Sequence, residues 1–126
     1  MINSRQTLLL ASFTGFMAVA LGAFGAHALK QVLVENNRTD TYELAVRYHF
    51  YHTLALLVIG TLMDRFVCKW LSASAICMII GTLLFSGSLY LLALTNNTLF
   101  AIITPIGGVI LLMGWGFLFI SAFKKS

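Results

Sequence analysis

Charged and polar positions divide this chain into apolar stretches of unequal length. Residues 6–29 carry no formal charge, 24 positions in all, enough for one membrane-crossing helix of about 20 residues. Residues 70–123 form an uncharged run of 54, too long for a single crossing. The tetrapeptide TNNT at 95–98 interrupts that run near its middle. Asparagine tolerates turn conformations and supplies polar groups for a loop. The run therefore reads as two helices, over residues 72–94 and 99–122, joined by a tight turn.

The remaining stretch is short. Only 16 uncharged residues separate Arg47 from Asp64, and two of them are His49 and His52. At about 1.5 Å per residue they reach roughly 24 Å, less than a hydrocarbon core of about 30 Å. The helix must begin earlier. Asp40 is placed to cap it, with Glu43 three positions on as the capping-box partner. That predicts a helix over residues 41–63 whose first turns are polar. With a first helix over residues 7–29, the pattern specifies an all-α polytopic membrane protein. It is a four-transmembrane-helix bundle forming a single membrane domain over 1–126.

Small residues recur inside these helices. Ala11, Gly15, Ala18, Gly22 and Ala26 fall on one face of the first helix, with Gly25 beside them, and Ala73, Cys77, Gly81, Leu84 and Ser88 on one face of the third. Gly107, Gly114 and Ser121 stand seven apart in the fourth, near Pro105 and Gly108. Such stripes let backbones approach closely, as membrane helix contacts prefer. Gly15, Gly22, Gly25, Gly81, Gly87, Ser88, Pro105, Gly107, Gly108 and Gly114 are accordingly expected to serve helix packing, within one chain or between copies. Pro105 removes a backbone donor and should kink its helix or mark the first turns.

Composition agrees with a membrane setting: 60% of the 126 residues are hydrophobic and 10% charged, against about 25% charged in soluble domains. The net charge of +4 comes from eight basic residues at the ends of apolar runs, the position of membrane flanks. They form no basic stripe and no base-reading motif accompanies them, which excludes a nucleic-acid partner. Four crossings put both termini on one side, with Arg5, Arg65, Lys69, Lys124 and Lys125 against Asp64. The other side holds Lys30, Arg38 and Arg47 against Glu35, Asp40 and Glu43. Five basic residues against three place the termini in the cytoplasm. The start of the chain also resembles a signal peptide, with Arg5, an apolar run from Leu8, and Ala26-His27-Ala28. Its apolar run is long for that purpose, so the segment reads as a retained helix. Cys68 and Cys77, nine apart, suit neither a metal pair nor a redox motif.

The densest polar chemistry lies in RYHFYHTLAL, residues 47–56. Glu43 and Arg47 are spaced i,i+4 with the acid first, the favourable order for a local ion pair. Tyr48 and His52 share the adjacent face, and His27 ends the first helix on the same outer side. His27, Glu43, Arg47, Tyr48 and His52 thus form a candidate polar cluster, with His27 and His52 expected to meet in it. One reading is an interfacial belt that locks two helices together. Another is a polar pocket on an ion or proton path. A third is a three-nitrogen metal site from His27, His49 and His52. No carboxylate or thiolate stands at ligand spacing beside them, so no metal and no cofactor is assigned. Ser86, Ser88 and Thr104 have no neighbouring base, and neither GSLY nor FSGSL matches a GxSxG elbow. No catalytic residue emerges.

In GAFGAHAL (22–29), YHFYHTLAL (48–56), FSGSLYLLAL (85–94) and TPIGG with GW (104–108 and 114–115), the chain resembles the YgdD-like family of small four-helix membrane proteins. Its animal members include transmembrane protein 256. The resemblance covers nearly the whole chain. It implies a protein of the bacterial inner (plasma) membrane and no activity, since the family is one of unknown function. The family pattern falls on His27, His52 and Tyr48, on Ser86-Gly87-Ser88, and on Pro105, Gly107 and Gly108; His49 lies outside it. The expected function is that of a non-catalytic protein that self-associates as a homo-oligomer or supports a larger assembly in the lipid bilayer. The alternative is a binder or conductor of a proton, metal or small polar ligand through the His/Tyr/Glu/Arg cluster.

Overall fold

Asn3 starts the first helix. Its side chain accepts from the Gln6 amide at 2.9 Å, and the Gln6 side chain accepts from the Asn3 amide at 3.1 Å. This reciprocal capping box satisfies amides that the helix itself cannot. The computed structural model describes residues 1–124. Lys125, counted above among the basic residues flanking the termini, lies outside the described residues. Five helices follow in order: α1 (Ser4–Ala26), α2 (Lys30–Glu35), α3 (Thr39–Arg65), α4 (Lys69–Thr95) and α5 (Phe100–Phe123). No strand occurs among the described residues. α1, α4 and α5 are long and apolar enough to cross a membrane.

The all-α expectation holds, but several boundaries move. α1 begins and ends three residues earlier than the charge pattern suggests, and the six-residue α2 occupies what reads in sequence as loop. Asp40 does not cap α3. The helix starts at Thr39 after Arg38, with no side-chain cap bond, and Asp40 stands inside the first turn. There its carboxylate faces the positive end of the helix dipole, a favourable position that needs no cap geometry. α4 takes in Lys69 and Trp70; the ammonium groups of Lys69 and Lys124 lie 5.3 and 5.1 Å from the Trp70 ring. The TNNT turn is as expected. Asn96 adopts φ 54°, the left-handed conformation that ends α4, and asparagine reaches it more readily than most residues.

Side-chain bonds tie the two ends of the bundle. Asn36 donates to the carbonyls of Ala93 and Leu94 at 3.0 and 3.2 Å, and Arg38 donates to Asn96 at 2.9 Å. The loop before α3 therefore sits with the α4–α5 turn. At the opposite end, Ser72 donates to the Ile2 carbonyl at 3.2 Å and Ser4 to that of Gly60 at 2.8 Å.

The long helices pack in the order α1, α3, α4, α5. The small-residue stripes are spent on these contacts. Ala11 and Ala18 are fully covered, and methyl groups added at Gly15 and Gly22 would sit 3.4 Å from Thr53 and 3.5 Å from Val46. Gly25 lies under the Tyr42 ring. Between α4 and α5 the seam is tighter: a methyl on Gly107 would meet Phe85 Cα at 2.8 Å, one on Gly81 the Leu111 backbone nitrogen at 3.0 Å, and one on Gly114 the Cys77 Cβ at 3.2 Å. Gly108 meets the Phe85 ring at 3.7 Å, and Ser88 shares a 2.6 Å bond with Thr104. Two expected packing residues behave differently. Gly87 has no atom of a neighbouring helix within 4 Å of an added methyl, and Pro105, inside α5, is exposed. Gly87 sits instead on the wall of a cleft.

Candidate functional site

α3 buries Tyr42, Ala45, His49, His52, Leu56 and Ile59, alternating steps of three and four residues that keep them on one face. Tyr42 and Ala45 join an apolar cluster with Leu33, Leu89, Leu92 and Ala93. Leu56 and Ile59 join a second with Ala11, Leu71, Ala75, Met78 and Leu111. Between these clusters the face turns polar, through His49, His52 and Thr53. His49 and His52 are 6% and 5% exposed, so neither imidazole faces the surroundings of the bundle.

Neighbouring helices meet each group of this layer. His49 Nδ1 pairs with the Tyr90 hydroxyl of α4 at 3.0 Å. Thr53 donates to the Thr14 hydroxyl at 3.1 Å, which donates to the Ala11 carbonyl at 3.0 Å. Ser86 donates to the Ala45 carbonyl at 2.8 Å. Tyr42 donates to the Leu21 carbonyl and meets Tyr90 edge-on, with centroids 5.2 Å apart.

His52 is bracketed by partners that fix its tautomer. Its Nδ1 is 2.7 Å from the Tyr48 carbonyl, which can only accept. Its Nε2 receives the Trp115 indole N–H of α5 at 3.1 Å, and an indole can only donate. The geometry therefore requires a neutral imidazole with its proton on Nδ1. Tyr48 stacks on the His52 ring with centroids 5.9 Å apart and meets the Phe85 ring at a tilt, with centroids 4.7 Å apart.

The expected five-residue cluster does not assemble. Tyr48 and His52 belong to the polar layer. Glu43 and Arg47 pair at 3.6 Å on the outer surface, with side chains 57% and 59% exposed. His27 is the exposed C-cap residue of α1, and no hydrogen bond or ring contact joins it to His52 among the described residues. The physical reason is depth, since His52 lies well along a helix that starts at Thr39. Nor do His27, His49 and His52 form a metal site: no group of three His, Cys, Asp or Glu side chains is arranged for an ion among the described residues. The residues that sequence reasoning missed are Tyr90, Thr14, Thr53 and Trp115, while His49 entered it only as a candidate metal ligand. The three–four spacing from Tyr42 to Ile59 places His49 on the buried face with His52. Tyr90, Thr14 and Trp115 lie on three other helices, where local spacing carries no information.

Two clefts flank the layer. One, of about 320 Å³, opens between α1 and α4, with His49, His52, Thr53 and Ser86 at its floor and Leu10, Phe13 and Leu83 at its sides. The other lies between α3 and α5 and is lined by Tyr48, Tyr51, Phe85, Pro105 and Trp115. His52 reaches both.

A family described as a protein of unknown function, DUF423, matches residues 21–108, the segment that holds most of the polar layer. The chain belongs to the DUF423 family. It is 42% identical over 125 residues to the UPF0382 inner membrane protein YgdD of Escherichia coli K12, covering 98% of this chain and 93% of that protein. A UPF0382 membrane protein of Haemophilus influenzae is 40% identical over 97% of both chains. The UPF0382 membrane protein SAB0533 of Staphylococcus aureus is 39% identical over 93% of this chain and 94% of its own. No solved structure matches this DUF423 chain.

Proposed function

We propose that this chain is a four-pass protein of the bacterial inner membrane, with both termini in the cytoplasm, that acts without bond chemistry. Its role is self-association or support of a larger assembly. The observation that carries the four-pass reading is the orientation of α3. This helix has 27 residues, about 40 Å at 1.5 Å per residue, and its histidines face other helices while Leu54 and Val58, 57% and 56% exposed, face outward. Ionisable groups within a span normally face the bundle interior, and this arrangement satisfies that condition. Relatives named as inner membrane or membrane proteins support the location.

The non-catalytic reading rests on how the polar groups are used. Among the described residues, every fully buried side-chain nitrogen or oxygen has a hydrogen-bond partner, and those partners are largely helix backbones and hydroxyls that lock the bundle. The route for a proton, metal or polar ligand through the outer cluster has less support, because Glu43 and Arg47 stand exposed and apart from His52. Since the Gly/Ala stripes are occupied within the chain, association must use the outer faces, such as Leu9 and Phe16 on α1, 63% and 71% exposed. Native mass measurement in mild detergent tests this role. Oligomers or a co-purifying protein are expected, and a strictly monomeric, partner-free chain would overturn it.

A further inference from the structure

The cleft between α1 and α4 has a feature that helix packing does not explain. Thr82 lines it, and among the described residues its hydroxyl has no hydrogen-bond partner. Serine and threonine side chains elsewhere in the long helices mostly bond a carbonyl three or four residues back, as Ser12, Thr61 and Ser121 do. Five residues further along α4 stands Gly87, which leaves the same cleft wall without a side chain. Tyr90, bonded to His49, closes the outer end of the cleft.

We infer that this cleft is a binding site for an uncharged, carbonyl-bearing ring compound dissolved in the bilayer, of the isoprenoid-quinone class. Four observations set that chemistry. No charged residue lines the cleft, so an ionic headgroup would find no counter-charge and would lose its hydration. The sides are Leu10, Phe13 and Leu83, 38%, 61% and 68% exposed; in a four-pass protein the mouth therefore opens onto hydrocarbon and admits molecules from the bilayer. The free Thr82 hydroxyl is a donor for a ring carbonyl, and a plain acyl chain would leave it unpaired. The cleft extends from Met78 to Tyr90 along α4, about 18 Å at 1.5 Å per residue. At about 320 Å³ it lies at the small end of ligand sites, room for a ring with the start of its tail. This goes beyond the assembly role, and neither depends on the other; failure to oligomerise would leave it standing.

The test uses the full chain in phosphatidylcholine nanodiscs, titrated with a decyl-substituted benzoquinone and followed by equilibrium binding and photo-crosslink mapping. Saturable binding of one molecule per chain is expected, with crosslinks on α1 and α4. Gly87→Leu should fill the cleft and weaken binding at least ten-fold, and Thr82→Val should weaken it about five-fold, the effect of one neutral hydrogen bond. Leu83→Trp, at the exposed mouth, provides a second block if Gly87→Leu perturbs folding. Uptake that rises linearly without saturation overturns the proposal, as does saturable binding that both blocking variants leave unchanged. Recovery of a tightly retained phospholipid that quinone does not displace would assign the cleft to an acyl chain. Crosslinks from the cleft to a second copy would assign it to an oligomer interface. Either result overturns the quinone reading.

Discussion

Replacing Gly107 by alanine should separate α4 from α5. The added methyl would lie 2.8 Å from Phe85 Cα and 2.9 Å from the Leu84 carbonyl carbon, whereas non-bonded carbons sit comfortably at about 3.5–4.0 Å. Both atoms are backbone, so no side chain can rotate away. α5 must retreat locally by roughly 0.7 Å or more to restore that separation. The retreat loosens the same seam one and two turns on, where Leu111 packs on Gly81 and Ser74 bonds the Gly114 carbonyl at 2.7 Å. Within a bilayer, apolar surface is not driven together by water, and association rests on such close packing. Overpacking of this kind costs about 1–3 kcal/mol. Gly116→Ala is the matched control, since an added methyl there meets nothing within 4 Å and alanine is the better helix former by roughly 0.5–1 kcal/mol. Denaturation of both variants in lipid-containing micelles should show Gly107→Ala clearly destabilised and Gly116→Ala unchanged or slightly stabilised. Equal stability of Gly107→Ala and the parent chain would refute the close-packed seam.

Three further outcomes follow from named bonds. Ser74→Ala removes the bond to the Gly114 carbonyl and should lower stability by about 1 kcal/mol, within the range of interhelical bonds in membrane proteins; a change above 3 kcal/mol would mean Ser74 does more than bridge two helices. Nitrogen NMR should find His52 neutral with its proton on Nδ1, and Trp115→Phe should destabilise by about 1–3 kcal/mol by stranding Nε2; a proton on Nε2 in the parent chain would contradict the Trp115 bond. Arg47→Ala should change stability by no more than about 0.5 kcal/mol, because its partner Glu43 is equally exposed; a large loss in denaturation would place the pair inside the fold.

Helix number and type were legible wherever a helix could be read from its own residues. The uncharged runs mark α1, α4 and α5, and TNNT marks the turn at Asn96. α2 was not, because six residues of mixed polarity carry no periodic signal; it is held by tertiary contacts, with Leu33 1% exposed in the outer core. Among the small residues, Gly107 and Gly114 lie against the neighbouring helix with no room for a methyl. They could not announce which copy of the chain they face, and Gly87 shows that a glycine in the same run can open a cleft instead of closing a contact. The candidate site was half legible. Tyr48 and His52 were found, but Glu43, Arg47 and His27 share only an end of the bundle with them, and end is a coarser property than depth. His49 and Tyr90 act as a pair 41 residues apart in sequence, a distance no local motif spans.

The central claim is that α3 crosses the membrane between α1 and α4, and its two ends are the place to test it. In a chain with Cys68 and Cys77 replaced by serine, single cysteines at Glu35, Val67 and Thr98 would be challenged with a membrane-impermeant thiol reagent in intact cells. The account predicts labelling at Glu35→Cys and Thr98→Cys from outside, and at Val67→Cys only after the membrane is opened. Labelling of Glu35→Cys and Val67→Cys from the same side would place both ends of α3 on one face of the bilayer and contradict the four-pass bundle.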